Sequence, residues 1–126
     1  MEDINAIAKQ FVDFYYATFS SGRSNLSALY RPNSMLTFEG TPIKGVDAVI
    51  EKLVSLPFQK VQHKITTLDA QPSSATMDVA SLIVSVTGLL VVDDSENPLN
   101  FSQVFQLYPE GRTYYVLNDI FRLNYG

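Results

Sequence analysis

The second half of the chain constrains the fold most, because its apolar residues recur with a period of two and occupy both sides of the predicted strands. Four strands are predicted, over residues 58–71, 77–92, 99–109 and 113–125. In the third strand, Phe101 and Phe105 alternate with Val104 and Tyr108. A sheet with two apolar faces needs a cover on each face. We therefore expect helices on one face and a second copy of the chain on the other.

The first half of the chain is predicted to supply three helices and one short strand. Apolar residues at three- and four-residue spacing indicate a helix from Ile4 to Phe19, with Asp3 as its N-cap. The further elements are helices over 24–30 and 46–56 and a strand over 34–40. Helices followed by consecutive strands indicate an α+β fold with an antiparallel meander packed on helices. No linker or repeat interrupts the pattern, so we expect a single domain over residues 1–126.

The composition excludes several classes of function. Charged residues make up only 17% of the chain, whereas about 25% is usual, so we expect surface to be hidden by self-association. The net charge is −4 with no basic run, which argues against nucleic-acid binding. One histidine and no cysteine make a zinc site improbable. With neither a signal-peptide pattern nor an apolar run of ~20 residues, we expect a soluble intracellular protein outside the membrane.

The single histidine and one aspartate are the candidates for chemistry. Strand alternation places His63 inward beside Val61 and Ile65, and it places Asp119 inward on the last strand. Two inward polar groups could form an acid–base pair. Each could instead be a buried polar group that a hydrogen bond satisfies, and the residues favour this second interpretation without excluding the first.

An acidic turn, VDDSENP, lies between the second and third predicted strands. It places Asp93, Asp94 and Glu96 close together, at a spacing unlike that of calcium-binding loops. The turn could be merely solvated, or it could dock a lysine or arginine of a partner. Glu39, at the end of the first short strand, allows the same two interpretations.

Four segments bear a resemblance to the nuclear transport factor 2 family of fungi, and the likeness covers nearly the whole chain. They are EKLVSLPFQKVQHKITTLDAQP, SMLTFEG, FSQVFQLYPEG and NDIFRLNYG. The resemblance implies a cone in which a strongly curved antiparallel sheet wraps on three helices around a deep apolar cavity. It also implies a homodimer through the sheet faces, and a transport carrier that is not an enzyme and needs no cofactor.

The resemblance further implies partners and locations. The carrier would bind the small GTPase Ran in its GDP form and the phenylalanine–glycine (FxFG) repeats of nucleoporins, and it would work in the cytoplasm, the nucleus and the nuclear pore of the nuclear envelope. A Ran aromatic side chain would enter the cavity, and basic Ran residues would pair with acidic residues at its mouth. The implied Ran-binding positions are Phe38, Glu39, Leu56, Val61, His63, Asp93, Asp94, Glu96, Leu99, Ile120 and Phe121.

The implied nucleoporin-repeat site is less complete. It rests on Ile4, where relatives often carry an aromatic ring, and relatives often have acidic residues in place of Ser20 and Ser21. The cone fold also houses small-molecule isomerases and dehydratases. The alternative function is therefore an enzyme of that kind, with His63 and Asp119 as base and acid in the cavity.

Overall fold

The computed structural model describes residues 4–57, 60–73, 81–93, 95–111 and 113–124. The helical elements are α1 (Ile4–Ser21), the 3-10 helix η1 (Arg23–Leu29) and α2 (Val46–Val54). The strands are β1 (Met35–Phe38), β2 (Thr41–Lys44), β3 (Val61–Pro72), β4 (Leu82–Val92), β5 (Leu99–Glu110) and β6 (Thr113–Asn124). The three helical segments and the four long strands agree with the prediction. Asp3, the predicted N-cap, lies outside the described residues, as do the first residues of the strands predicted from 58 and 77.

The strands form one sheet in the order β2-β1-β6-β5-β4-β3. Strands β3 to β6 pair antiparallel with their chain neighbours, as the predicted meander requires. Strand β1, however, runs parallel to β6, with Met35 opposite Asn118 and Phe38 opposite Phe121. The sheet is therefore mixed, and the prediction of a wholly antiparallel sheet is wrong at this pair. No tight turn joins β1 to β6, so nothing in the local sequence sets their relative direction.

Strand β2 is an addition that the sequence did not predict. It pairs with β1 through a two-residue turn in which Glu39 and Gly40 have φ values of 51° and 87°. Positive φ at both central residues is the geometry of a type I′ hairpin turn. The sequence did not predict β2 because three of its four residues are exposed and show no alternation of apolar and polar residues. Its proline, Pro42, also argues against a strand, although proline is tolerated on an edge strand.

Helix α1 covers the inner face of the sheet. Its buried residues, Ala8, Val12, Tyr15 and Tyr16, lie on one stripe. The Tyr15 ring packs edge-on against Phe105 with 4.9 Å between centroids, and Phe11 does so at 5.4 Å. These contacts join α1 to the buried apolar side chains of β4 and β5, which are Leu82, Val84, Val86, Leu90, Phe101, Phe105 and Leu107.

The outward face of the sheet carries exposed apolar residues, as predicted, together with polar ones such as Asn118. Met35, Ile83, Tyr108 and Ile120 are exposed there on four different strands. The alternation along β6 shifts at Leu117, where a bulge brings Val116 opposite Leu107 and Asn118 opposite Gln106. Val116 is fully buried, so it does not share the exposed face of Ile120 although the two residues are four positions apart. A bulge adds one residue to a strand, and the period of two then restarts.

A second irregularity lets β3 approach β4 closely. The register between these strands shifts at Thr66, and Gly88 lies opposite Ile65. A Cβ atom at Gly88 would lie 2.2 Å from the Lys64 carbonyl oxygen and 3.0 Å from the Phe101 ring. The site therefore admits only glycine unless the backbone moves.

Replacing Gly88 with alanine should destabilise the fold. The added methyl group meets backbone rather than a flexible side chain, so we expect the free energy of unfolding to fall by about 1–3 kcal/mol. Urea unfolding measures the change. Lys64→Ala is the matched control, because it removes only the exposed side chain of the residue that supplies the obstructing carbonyl, and it should change stability by no more than about 0.5 kcal/mol. Equal stability of Gly88→Ala and the wild type would contradict the close approach.

Candidate functional site

An apolar cavity of about 300 Å³ lies between the sheet and the helices. Its lining residues are Tyr15, Phe19, Leu36, Phe38, Leu53, Leu56, Pro57, Val61, His63, Leu90, Val92, Leu99, Gln103, Asp119, Phe121 and Leu123. Phe38 and Phe121 stack in parallel at 5.0 Å, and Phe121 stacks on Phe101 at 5.9 Å. The cavity therefore has an almost wholly apolar surface with aromatic rings in its wall, and the polar residues that line it contribute mainly their carbon atoms.

Most cavity positions implied by the resemblance do line this cavity. They are Phe38, Leu56, Val61, His63, Leu99 and Phe121. The exception is Ile120, which lies opposite Val104 on the outward face and is 49% exposed, so its predicted place in the cavity is wrong. Neighbouring residues of a strand point to opposite faces, and Phe121 takes the inward direction.

The contribution of α1 and of Gln103 to the lining was not predicted from the sequence. Tyr15 and Phe19 are four residues apart on the apolar stripe of α1, so the stripe already placed both on the inner side. Gln103 lies two residues from both Phe101 and Phe105 on the same strand, so the alternation of side chains placed it on the inward face. The curvature of the sheet decides which inward residues border a cavity and which fill the core.

Aromatic rings surround His63. Its imidazole stacks on Tyr16 with 4.2 Å between ring centroids and 20° between planes. The rings of Phe19 and Phe101 meet it edge-on at 5.1 and 5.4 Å. Burial lowers the pKa of His63 to about 4, so the side chain is neutral at pH 7. Its Nδ1 atom is buried and has no hydrogen-bond partner among the described residues.

Asp119 lies in a network of hydrogen bonds. One carboxylate oxygen accepts from the Tyr30 hydroxyl at 2.7 Å and from Tyr15 at 3.4 Å, and the other accepts from Gln103 Nε2 at 2.8 Å. Tyr16 donates in turn to Gln103 Oε1 at 2.7 Å. Burial raises the pKa of Asp119 to about 6, against the opposing effect of these donors.

The two polar residues thus have different environments. Asp119 is a buried carboxylate satisfied by hydrogen bonds, as the favoured interpretation predicts. For His63 that interpretation is wrong at Nδ1, which has no such partner among the residues described. No hydrogen bond joins His63 to Asp119 in the described part of the chain, so the geometry does not form an acid–base pair.

Three acidic residues, which we call the acidic rim, follow or precede residues that line the cavity. Glu39 follows Phe38 and accepts a hydrogen bond from the Leu123 backbone N–H. Asp93 follows Val92 and accepts from the Lys60 N–H at 2.9 Å. Glu96 is exposed and lies three residues before Leu99. Asp94, the fourth predicted acidic position, lies outside the described residues.

Two members of the acidic rim have unusual backbone geometry. Glu39 and Asp93 both have φ of 51°, and no other non-glycine residue in the described ranges has a positive φ. The left-handed region costs a non-glycine residue roughly 1–2 kcal/mol. Residues held in such conformations concentrate at functional sites.

The residues of the implied repeat site lie on α1. Ile4 is half-buried at the start of the helix and packs against the core. At the other end, Ser20 donates to the Val61 carbonyl at 2.5 Å and the exposed Ser21 donates to Thr18. Ser20 therefore fastens the end of α1 to the edge strand β3.

No group of three or more potential metal ligands comes together within the part of the chain that is described. None of the described helices is long and apolar enough to cross a membrane.

Comparisons with known proteins agree on one family. The sequence profile of the Nuclear transport factor 2 domain matches residues 7–123. Proteins named Nuclear transport factor 2 from Candida glabrata and Schizosaccharomyces pombe are 60% and 58% identical to the chain. The first alignment covers 98% of this chain and 97% of the relative, and the second covers 100% of both. A solved structure of nuclear transport factor 2 from Cryptosporidium parvum is 47% identical with a TM-score of 0.87, over 96% of this chain and 94% of that chain. The predicted cone-shaped fold is confirmed by this similarity.

His63 and Asp119 should give opposite pH dependence to the free energy of unfolding over one pH range. The pKa of His63 falls from 6.5 to about 4 on folding, so the unfolded chain binds the extra proton and stability decreases as pH falls through that range. The pKa of Asp119 rises from 3.8 to about 6, so the folded chain binds the extra proton and stability increases as pH falls. The two contributions offset each other in the wild type.

Single variants should separate these contributions. Relative to the wild type, His63→Phe should gain stability as the pH falls from about 6.5 to about 4, and Asp119→Asn should lose it. Urea unfolding at a series of pH values and one protein concentration measures both profiles. Gln62→Ala, an exposed neighbour of His63, is the control and should run parallel to the wild type. Parallel profiles for all the proteins would show that neither pKa is shifted.

Proposed function

The chain belongs to the nuclear transport factor 2 family, and on that premise we propose that it carries Ran in its GDP form through the nuclear pore by binding phenylalanine–glycine repeats of nucleoporins. The relatives carry the name of a nuclear transport factor and not of an enzyme. The chain is accordingly a nuclear transport factor and not an enzyme. As a carrier of Ran it would move between the cytoplasm and the nucleus.

The observation that carries the Ran proposal is that the acidic rim continues the strands and turns that line the cavity. An aromatic side chain buried in the cavity would gain about 1.5–3 kcal/mol from leaving water. The aromatic side chains of Phe38 and Phe121 in the cavity lining would contact it. Carboxylates beside the opening would attract a partner with basic residues around that aromatic side chain and would orient it.

The acidic rim is held in place within the chain itself. Glu39 is fixed by Leu123 N–H and Asp93 by Lys60 N–H, so neither carboxylate has to be ordered on binding. The Lys52 ammonium lies 5.4 Å from the centre of the Phe38 ring. Positive charge therefore also lies beside one of the cavity-lining rings, and it would disfavour a partner whose basic residues face that side.

The alternative, a small-molecule isomerase or dehydratase that uses His63 and Asp119, has less support. The two side chains are not hydrogen-bonded to each other within the described residues, and both oxygens of Asp119 already accept from other side chains. Turnover of a small carbonyl compound that disappears in His63→Ala would favour this alternative.

Substitutions of Glu39 should separate charge from structure in Ran binding. Glu39→Gln keeps an oxygen that can accept from Leu123 N–H but removes the charge, and we expect Ran-GDP affinity to fall about tenfold. Glu39→Lys places like charge against a basic partner and should cost about 2–5 kcal/mol, which abolishes detectable capture. Titrations with Ran-GDP and Ran-GTP at two salt concentrations measure these changes, and circular dichroism confirms folding. Wild-type protein should bind the GDP form selectively.

The nucleoporin repeats supply the control for these variants. Repeat binding rests on apolar contact, so Glu39→Lys should still capture the repeats with little dependence on salt. Ile4→Ala should weaken repeat capture and leave Ran-GDP binding unchanged. A folded Glu39→Lys protein that keeps Ran-GDP, or that loses both partners together, would refute the assignment of the acidic rim.

We also propose that the chain forms a homodimer through the outward face of the sheet. This face carries Met35, Ile83, Tyr108 and Ile120, which are 37–49% exposed. Exposed apolar side chains that gather on one face mark an interaction surface. A second copy of the same face is the cover that two-sided apolar strands require.

Ile120→Glu should convert the dimer into monomers. The charge would be buried without a partner at the centre of the interface, which opposes association. Light scattering should give twice the 14.1 kDa chain mass for the wild type and the single mass for the variant. Val54→Glu is the control, since Val54 is equally exposed but lies on α2, and the mass should not change. A monomeric wild type would refute the dimer.

A further inference from the structure

The polar residues in the cavity wall turn their polar atoms away from the enclosed space. The Tyr15 hydroxyl and the Gln103 amide both donate hydrogen bonds to Asp119, and His63 Nδ1 is buried. The surface that these residues present to the cavity is almost wholly apolar. The described residues therefore offer almost no hydrogen-bonding partner to a molecule inside the cavity.

The charges of the wall are equally unsuited to an ion. No lysine or arginine is among the described residues that line the cavity, so nothing there would neutralise an anion. Asp119, the only acidic residue among them, already accepts hydrogen bonds at both oxygens, from Tyr30 and from Gln103. A charged or polar molecule would lose its hydration in the cavity without gaining partners, which is unfavourable. A neutral molecule without polar groups avoids this cost.

The volume of the cavity indicates the size of such a molecule. It is about 300 Å³, which is at the lower end for ligand sites. An apolar cavity of about 150 Å³ can hold benzene, so twice that volume suits roughly ten to twelve carbon atoms. A molecule of that size would gain the dispersion contacts that an unfilled space forgoes. Water would fit poorly, because it needs about two to four polar partners.

We propose that the cavity binds a small neutral hydrocarbon of about ten to twelve carbon atoms, a class that includes bicyclic arenes and monoterpenes. This site does not require the carrier role. One consequence does rest on the proposed function: the hydrocarbon and the aromatic side chain of Ran would occupy the same cavity, so the hydrocarbon would inhibit Ran binding by competition.

The first test compares naphthalene with 2-naphthol, which has the same rings and one added hydroxyl group. We expect naphthalene to bind about tenfold more tightly, because the cavity leaves the hydroxyl group without a partner. Benzene should bind more weakly than naphthalene, because it buries less apolar surface. Titration calorimetry measures the three affinities. Absence of naphthalene binding, a 2-naphthol affinity equal to or above that of naphthalene, or a benzene affinity equal to that of naphthalene would each overturn the proposal.

Two identical substitutions at different positions locate the ligand. Val92 lines the cavity, so Val92→Trp fills part of it and should weaken naphthalene binding at least tenfold. Val54→Trp is the matched control, since Val54 is exposed on α2 and does not line the cavity, and it should bind naphthalene like the wild type. The chain has no tryptophan of its own, so a shorter emission wavelength in Val92→Trp than in Val54→Trp shows that the added ring is buried. Undiminished naphthalene binding by a folded Val92→Trp protein with a buried ring would refute the location.

A measurement on the wild-type protein decides the matter if Val92→Trp does not fold. His63 lines the cavity and is the only histidine, so its ring C–H resonances can be identified by histidine labelling alone. Bound naphthalene should shift these resonances and give nuclear Overhauser contacts to them. Binding of naphthalene without such contacts would place the ligand outside the cavity and overturn the proposal.

The failure of this inference can be distinguished from the failure of the proposed function. Binding of naphthalene in the cavity of a protein that does not capture Ran-GDP would support the site and refute the carrier role toward Ran. Capture of Ran-GDP without any binding of naphthalene would do the reverse. If both bind, naphthalene should weaken Ran-GDP capture, and simultaneous binding would refute the shared cavity.

Discussion

The buried carboxylate of Asp119 is the interaction on which the rest of the structure depends. Its donors come from three elements besides its own strand β6: Tyr15 from α1, Tyr30 from the end of η1 and Gln103 from β5. Hydrogen bonds to a charged group contribute about 1.5–3 kcal/mol each, which offsets part of the cost of removing the charge from water. Apolar contacts can form over a range of angles, whereas these hydrogen bonds require a defined geometry. The network therefore fixes how α1 and η1 lie on the sheet. That placement leaves the cavity open beside it.

The cavity and the acidic rim are maintained against local preference. An unfilled apolar space forgoes packing contacts that a fuller core would have, and His63 presents a buried nitrogen with no described partner. Glu39 and Asp93 occupy a backbone region in which glycine or asparagine is more comfortable. A chain selected for stability alone would remove each of these features. Glu39 and Asp93 each directly follow a residue that lines the cavity, and this arrangement supports a binding function over a purely structural explanation.

The two faces of the sheet have different proposed roles. The inner face is curved around α1 and encloses the cavity, and the close approach at Gly88 with the shift at Thr66 permits that curvature. The outer face carries the exposed apolar residues that a second chain would cover. A residue such as Ile120 can serve only one of these faces, and its neighbour Phe121 serves the other. Neighbouring positions of one strand are therefore assigned to different proposed functions.

The sequence by itself determined the elements, their order and the two-sided apolar strands, because hydrophobic periodicity is a local property that neighbouring residues impose. It also placed His63 and Asp119 inward, and family resemblance supplied most of the cavity positions. Tertiary structure alone decided the parallel pairing of β1 with β6, the shift of β6 at Leu117 and the outward position of Ile120. It also decided that Asp119 is satisfied while His63 Nδ1 is not. These depend on contacts between residues far apart in the chain, such as Tyr30 with Asp119, and a period of two carries no information about strand direction, bulges or partners.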